Sequence, residues 1–181
     1  CSGAQWDKLI SSQTVLEIGE LKLTALPTPG HTPACTTFVV GDSLFTGDAI
    51  FQPDFGTARC DFPGGSPEDL FDSIRSTLYT LPDDYRIFVG HDYPPATRTV
   101  TFLTNIAAEK ASNKFLTAST SKQDFVTARS TRDSQLDTPN LLYPSLQFNI
   151  NAGVLPPSSS PSGKRFIKMP ISSPKHLSDL M

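Results

Sequence analysis

Three times within its first 91 residues the chain closes an extended apolar stretch with a glycine and follows it with a residue able to bind a metal. The stretches are "LKLTALPTPGH", "SLFTGD" and "RIFVGH", and the polar residues are His31, Asp48 and His91. In a layered α/β protein the strand ends open onto a common rim, so groups far apart in sequence converge there. Gly30, Gly47 and Gly90 each remove a Cβ where the backbone must bend or approach a neighbour. Taken singly, each polar residue reads as a surface histidine or a turn-forming aspartate. Their repeated setting is what favours a metal site, because two imidazoles and a carboxylate form a donor set for a transition metal. The expectation is an α/β fold with His31, Asp48 and His91 gathered at one sheet edge.

The surrounding pattern supplies the elements. "TVLEIGELKLTALP" alternates apolar and polar residues about Gly19-Glu20 and predicts two strands. "TTFVVGDSLFTG" predicts a hairpin turning at Gly41-Asp42. "SPEDLFDSIRSTLYTL" predicts a helix with Ser66 as cap, Pro67 at its first position and Leu70, Ile74, Leu78 and Leu81 on one face. "RIFVG" reads as a buried strand. "TVTFLTNIAAEKAS" and "SKQDFVTARS" read as helices, and "PSLQFNINAG" as a short helix opened by Pro144. "PPSSSPSG" reads as a linker, and "KRFIKMPI" as a short strand or ordered tail.

Composition narrows the function classes. The 181 residues are 38% hydrophobic and 18% charged with a net charge of −3, which is globular and offers no basic footprint for nucleic acid. No apolar run approaches a membrane span. Cys1, Cys35 and Cys60 are too few for a disulfide framework. The chain opens on Cys1 with no basic and apolar leader, and is expected to be part of a longer protein.

The segments "TPGHTPAC", "LFTGDAIF", "GTARCDFPGG" and "LPDDYRIFVGHDY" together resemble the metallo-β-lactamase superfamily. Within it they are similar to the persulfide dioxygenase branch and its bacterial β-lactamase-like hydrolase relatives. The resemblance runs from Leu16 to Tyr93 and continues more weakly through "LLYPSLQFNINAGVLP". It implies an αββα sandwich, here incomplete, because the family's "HxHxDH" motif belongs to an N-terminal half that is absent. It also implies three regions: residues 1–95 as the C-terminal part of the core, 96–155 as a helical segment, and 156–181 as a Pro/Ser-rich linker and tail.

The same resemblance implies site roles. His31 and Asp48 would be metal ligands. His91 would bind a second metal in the hydrolases and lie beside the iron in mononuclear dioxygenases. Arg59 and Asp61 match the "R-x-D" signature of the dioxygenase branch, and Tyr93 the substrate-side tyrosine of "HDY". The implied function is oxidation of glutathione persulfide to sulfite by O₂ at a mononuclear non-haem Fe(II). The implied setting is mitochondrial or cytoplasmic, with no nucleic-acid or membrane partner and with homodimerisation left open. The alternatives are a binuclear Zn hydrolase of thioesters or lactones, as in glyoxalase II, and a metal-free remnant. Glyoxalase II tends to read "GHEY" and lacks the "ARCDF"-type run, which favours the dioxygenase. Arg59 and Asp61 are open between substrate contact and a structural ion pair. Arg98 and Lys114 read as solvated surface, Cys35 as a small buried residue, Cys60 as no nucleophile, and His176 as part of a polar tail. A half sandwich is expected to leave apolar surface bare on the "FVV" and "LEIG" segments.

Overall fold

In the computed structural model, residues 3–12, 14–159 and 161–168 are described. Six strands form one sheet in chain order: β1 (Val15–Ile18), β2 (Leu21–Pro27), β3 (Thr36–Val40), β4 (Ser43–Gly47), β5 (Arg86–Val89) and β6 (Leu103–Asn105). Every neighbouring pair is antiparallel except β4 and β5, which run parallel. Parallel neighbours need a crossover connection. Here it contains α1 (Pro67–Ser76) and a 3-10 turn at Leu78–Thr80. Three further helices follow: α2 (Ile106–Ser112), α3 (Lys122–Asp133) and α4 (Leu142–Ile150).

Strand periodicity divides the sheet into two unlike faces. Leu44 of β4 pairs with Ile87 of β5, and both are fully buried. They join Leu70, Ile74, Leu78, Ile106, Leu116 and Phe125 in one core. Each such side chain contributes roughly 1.5–3 kcal/mol by leaving water. The alternate row, Phe38–Phe45–Phe88–Leu103, lies on the other face. Phe45 stacks on Phe88 at 5.2 Å between centroids and still exposes 45% of its surface. One sheet with its helices on one face is half of a two-sheet sandwich, and the bare row lies where a second sheet would pack. The apolar exposure expected for "LEIG" is present at Ile18, while Leu16 and the "FVV" residues are half-buried.

The Ser66 cap is formed as expected: its hydroxyl accepts from the Asp69 amide, with Pro67 opening α1. Ser121 caps α3 in the same way. Three readings need correction. Residues 99–112 are not one helix, because Leu103–Asn105 pairs with β5 and only Ile106 onward is helical. Asn105 sets that boundary by accepting from the Ala108 amide, as an N-cap should. The α1 helix stops at Ser76, and its expected last turn is the separate 3-10 turn. Pro144 lies inside the first turn of α4 and does not open it; the first turn tolerates a missing N–H. Of "KRFIKMPI", residues 164–168 carry no regular structure; the rest of that segment, like His176, lies outside the described residues.

Internal contacts divide the chain into two units. Residues 10–136 carry the sheet and α1–α3. The other unit joins the segment up to Leu9 with the segment from Asp137 onward and contains α4. In it Gln5 donates to the Ile150 carbonyl, and the Gln147 side chain pairs with the main chain of Lys168.

Candidate metal centre

Topology alone brings the three polar residues to one rim. The β2 strand is antiparallel to β3, β3 to β4, and β4 is parallel to β5. The C-terminal ends of β2, β4 and β5 therefore share one sheet edge, and His31, Asp48 and His91 follow those ends. Asp48 sits at the centre. Its Oδ2 lies 3.6 Å from His31 Nε2 and its Oδ1 lies 3.5 Å from His91 Nε2.

Two of the glycines make this approach possible. A Cβ on Gly30 would lie 2.3–2.6 Å from the Leu70 backbone and side chain, and its φ of +142° is one few other residues adopt. The turn is thus pressed onto the start of α1, where the Ser66 amide donates to the Gly30 carbonyl at 2.8 Å and the Ser73 hydroxyl to the Pro29 carbonyl at 2.7 Å. A Cβ on Gly90 would meet Asp48 Oδ1 at 3.0 Å. Its absence lets the end of β5 lie directly against the carboxylate.

The two imidazoles are held differently. His31 Nδ1 contacts the Arg59 carbonyl at 2.6 Å. A carbonyl can only accept, so Nδ1 carries the proton, and in the neutral ring Nε2 presents a lone pair to Asp48. Nε2 and the carboxylate oxygen lie 3.6 Å apart, longer than a hydrogen bond, so the two stand side by side as a nitrogen and an oxygen donor. The donor chemistry thus fits a metal ion, with the carbonyl orienting the ligand ring. His31 is also packed edge-on against Phe62, and its side chain is 14% exposed. His91 is 58% exposed, and among the described residues no hydrogen bond orients its ring. Among the described residues no three His, Cys, Asp or Glu side chains converge closely enough to enclose an ion.

Arg59 turns its guanidinium to Asp61 in a two-bond fork, Nε to Oδ1 at 2.6 Å and Nη2 to Oδ2 at 2.5 Å. That fork holds the Asp61 carboxyl below its usual range. The Arg59 main chain, not its charge, is what touches His31. Tyr93 is half-exposed and stacks on Phe55 at 4.6 Å, with Phe51 edge-on at 5.8 Å and the His91 ring 5.9 Å away. Partial burial and then the Asp48 charge push its phenol upward.

Arg98 is not the solvated residue the sequence suggested. It makes paired hydrogen bonds to Asp54 (2.7 and 3.0 Å) and to Asp92 (2.8 and 2.9 Å). Asp92 also accepts from the Thr101 amide. The Arg98 bonds, first, hold the Asp92 carboxyl low. This clamp ties the loop bearing Phe55 to the segment bearing His91 and Tyr93. Its partners are 44 and 6 residues from Arg98, and only Asp92, beside His91 in the "HDY" motif, carried any signal in the sequence. Cys60 is buried, and burial followed by the Asp133 charge pushes its thiol up to about 12, so it is no nucleophile. Cys35, expected to be buried, is half-buried.

Residues 3–91 match the family model of the metallo-β-lactamase superfamily. The chain is 46% identical over 170 residues to Glyoxylase B2 of Dictyostelium discoideum, an alignment covering 93% of this chain and 58% of that protein. It is 32% identical to the human protein named mitochondrial persulfide dioxygenase ETHE1, over 87% of this chain and 59% of that one. Among solved structures it matches ETHE1 from Myxococcus xanthus with a TM-score of 0.71 and 33% identity, covering 80% of this chain and 60% of that one. The chain thus spans somewhat under two thirds of the length of these relatives. With the half-sandwich sheet and a histidine–aspartate–histidine rim at its strand ends, these likenesses show that the chain belongs to the metallo-β-lactamase superfamily.

Proposed function

We propose that the Asp48 rim is part of a mononuclear iron site at which a low-molecular-weight persulfide, such as glutathione persulfide, is oxidised by O₂. The observation that carries this reading is the asymmetry about Asp48: one partly buried histidine is held toward the carboxylate by a hydrogen bond to the Arg59 carbonyl, and the other is exposed with no such bond to its ring among the described residues. A single oriented histidine with a carboxylate supplies two corners of a two-His-one-carboxylate face. The third donor would come from the portion of the relatives' length that this chain does not span. Likeness to the proteins named ETHE1 supports the reading.

A ferrous ion held there would supply the open positions at which a soft sulfur donor and O₂ meet. The balanced change is RSSH + O₂ + H₂O → RSH + SO₃²⁻ + 2H⁺. The S–S bond breaks, the sulfur pair gives four electrons to O₂, and the inner sulfur leaves as thiol. His31 and Asp48 would hold the ion. His91, exposed beside Asp48, is placed to exchange protons with substrate or water. Tyr93 and Phe55 offer an aromatic wall to the thiol carrier. Among the described residues no helix is long and apolar enough to cross a membrane, and a mitochondrial or cytoplasmic setting suits a thiol-dependent reaction.

The second reading, a binuclear zinc hydrolase of thioesters or lactones, is favoured by Asp48 Oδ1 facing His91 at 3.5 Å and by the 46% identity to Glyoxylase B2. Metal content and oxygen uptake of the intact protein decide between them. One iron per chain with persulfide-dependent O₂ consumption is expected. Two zinc ions, thioester hydrolysis and no oxygen uptake would replace the first reading with the second.

A further inference from the structure

Beyond the rim, α3 carries a buried ion pair, Arg129 at 3% and Asp133 at 5% exposure. Arg129 Nε donates to Asp133 Oδ1 at 2.9 Å, and the guanidinium lies 4.5 Å from the Phe115 ring centre. A buried pair is weak evidence for stability, since apolar side chains of similar volume often serve as well. What distinguishes this pair is where its remaining hydrogen bonds go. Arg129 Nη1 donates to the Thr57 carbonyl at 3.0 Å, and Asp133 Oδ2 accepts from the Cys60 amide at 2.8 Å. The Cys60 N–H and the Arg59 C=O belong to the same peptide unit, which is planar. That carbonyl is the one that receives His31 Nδ1 at 2.6 Å.

We infer that Asp133 is a positioning residue for His31, acting through the 59–60 peptide as a carboxylate–peptide–imidazole relay that Arg129 holds in place. The inference rests on the proposed role of His31 as a metal donor. The carboxylate aligns and polarises the peptide, making its carbonyl a stronger acceptor, because chained hydrogen bonds reinforce one another. The stronger acceptor fixes the proton on Nδ1 and leaves Nε2 free toward Asp48. Outer partners of this kind are worth about 10–100-fold in metal affinity. Here the partner is one peptide further out than the usual carboxylate or carbonyl.

The test uses the intact protein and two readouts: the ¹⁵N signature of the His31 ring without metal, and competitive zinc titration. Arg129→Met with Asp133→Leu keeps an apolar, filled site but removes both bonds to residues 57–60. The expected result is a folded protein whose His31 ring no longer rests in the Nδ1–H form and which binds zinc at least tenfold more weakly. Asp133→Asn, which keeps an oxygen for the Cys60 amide, is expected to retain the Nδ1–H form. A folded double variant with an unchanged His31 signature and affinity would overturn the relay and leave the metal reading intact. If His31→Ala leaves zinc affinity unchanged while the double variant still alters the ring signature, the metal reading fails and the relay stands. Should the double variant not fold, hydrogen exchange of the Cys60 amide in the unaltered protein decides. Protection close to that of the core supports the relay, and rapid exchange overturns it.

Discussion

The two sides of Asp48 are built on opposite plans. On the His31 side three contacts restrain the ring: the turn is pressed against α1, Phe62 packs edge-on, and the Arg59 carbonyl sets its proton. On the His91 side the ring stands exposed between Phe51 and Tyr93, and order comes indirectly from the Arg98 clamp. Rigid donors suit a metal, since a ligand already oriented loses little entropy on binding. Exposed aromatic and imidazole groups suit a substrate that must arrive and leave. The difference assigns holding to one side and exchange to the other.

The sharpest way to break that contrast is to delete each ring in turn. His31→Ala is expected to weaken metal binding by more than about 100-fold, beyond the range typical of outer partners. His91→Ala should cost less than about tenfold. Equal losses in competitive titration would mean that both sides hold metal, as in a binuclear site.

The next effect lies beneath the loop that carries Phe51 and Phe55. Glu109 is fully buried, its carboxyl pushed up to about 7 by loss of water, and Asn113 links it to the Gly56 carbonyl. A carboxyl raised in the folded state binds its proton more tightly there than in the unfolded chain. Its contribution to stability is therefore full below the ordinary glutamate range and is lost as pH rises from about 4.5 toward about 7. Glu109→Gln should stabilise the protein above that window by up to the order of 3 kcal/mol and change little below it. Denaturant titrations at the two ends of the window measure this, and equal changes at both ends would remove Glu109 as the cause.

Arg98→Gln is a smaller and more selective perturbation. It leaves Asp54 and Asp92 without their shared cation. The expected result is a shift of the His91 and Tyr93 side-chain resonances with those of His31 in place. Movement of His31 as well would show that the two sides are coupled through Asp48. Least affected of all should be Cys60. With its thiol pushed to about 12, it should stay unmodified by alkylating reagents at pH 8 while the protein is folded, as mass spectrometry can show.

Much of the fold was legible because its signals are local. The Ser66-Pro67 start of α1 needs only residues within four positions of one another, and so does the Gly41-Asp42 hairpin. The rim was legible for another reason: glycine precedes His31, Asp48 and His91 alike, and each glycine marks a close approach or a sharp bend. What the sequence hid depends on partners far along the chain. Leu103–Asn105 is a strand only because β5 lies beside it. Arg98 reads as surface until Asp54, 44 residues away, is placed against it. Arg129 and Asp133 look like an ordinary exposed i,i+4 pair, and nothing local shows that they reach residues 57 and 60.

The single parallel junction of the sheet also has a kinetic meaning. The strands β2, β3 and β4 join through short antiparallel connections, so the His31–Asp48 contact can form early and cheaply. His91 arrives only when the chain between Gly47 and Arg86 has folded its helix and closed β5 onto β4. Closing longer loops costs more entropy and slows folding. Pulse-labelled exchange during refolding is therefore expected to protect the β2–β3 amides before those of β5. Simultaneous protection would mean that both halves condense in one step. In the sequential case the rigid half of the rim would be ready while the aromatic half was still being delivered, and a metal captured during folding would meet its firmest donors first.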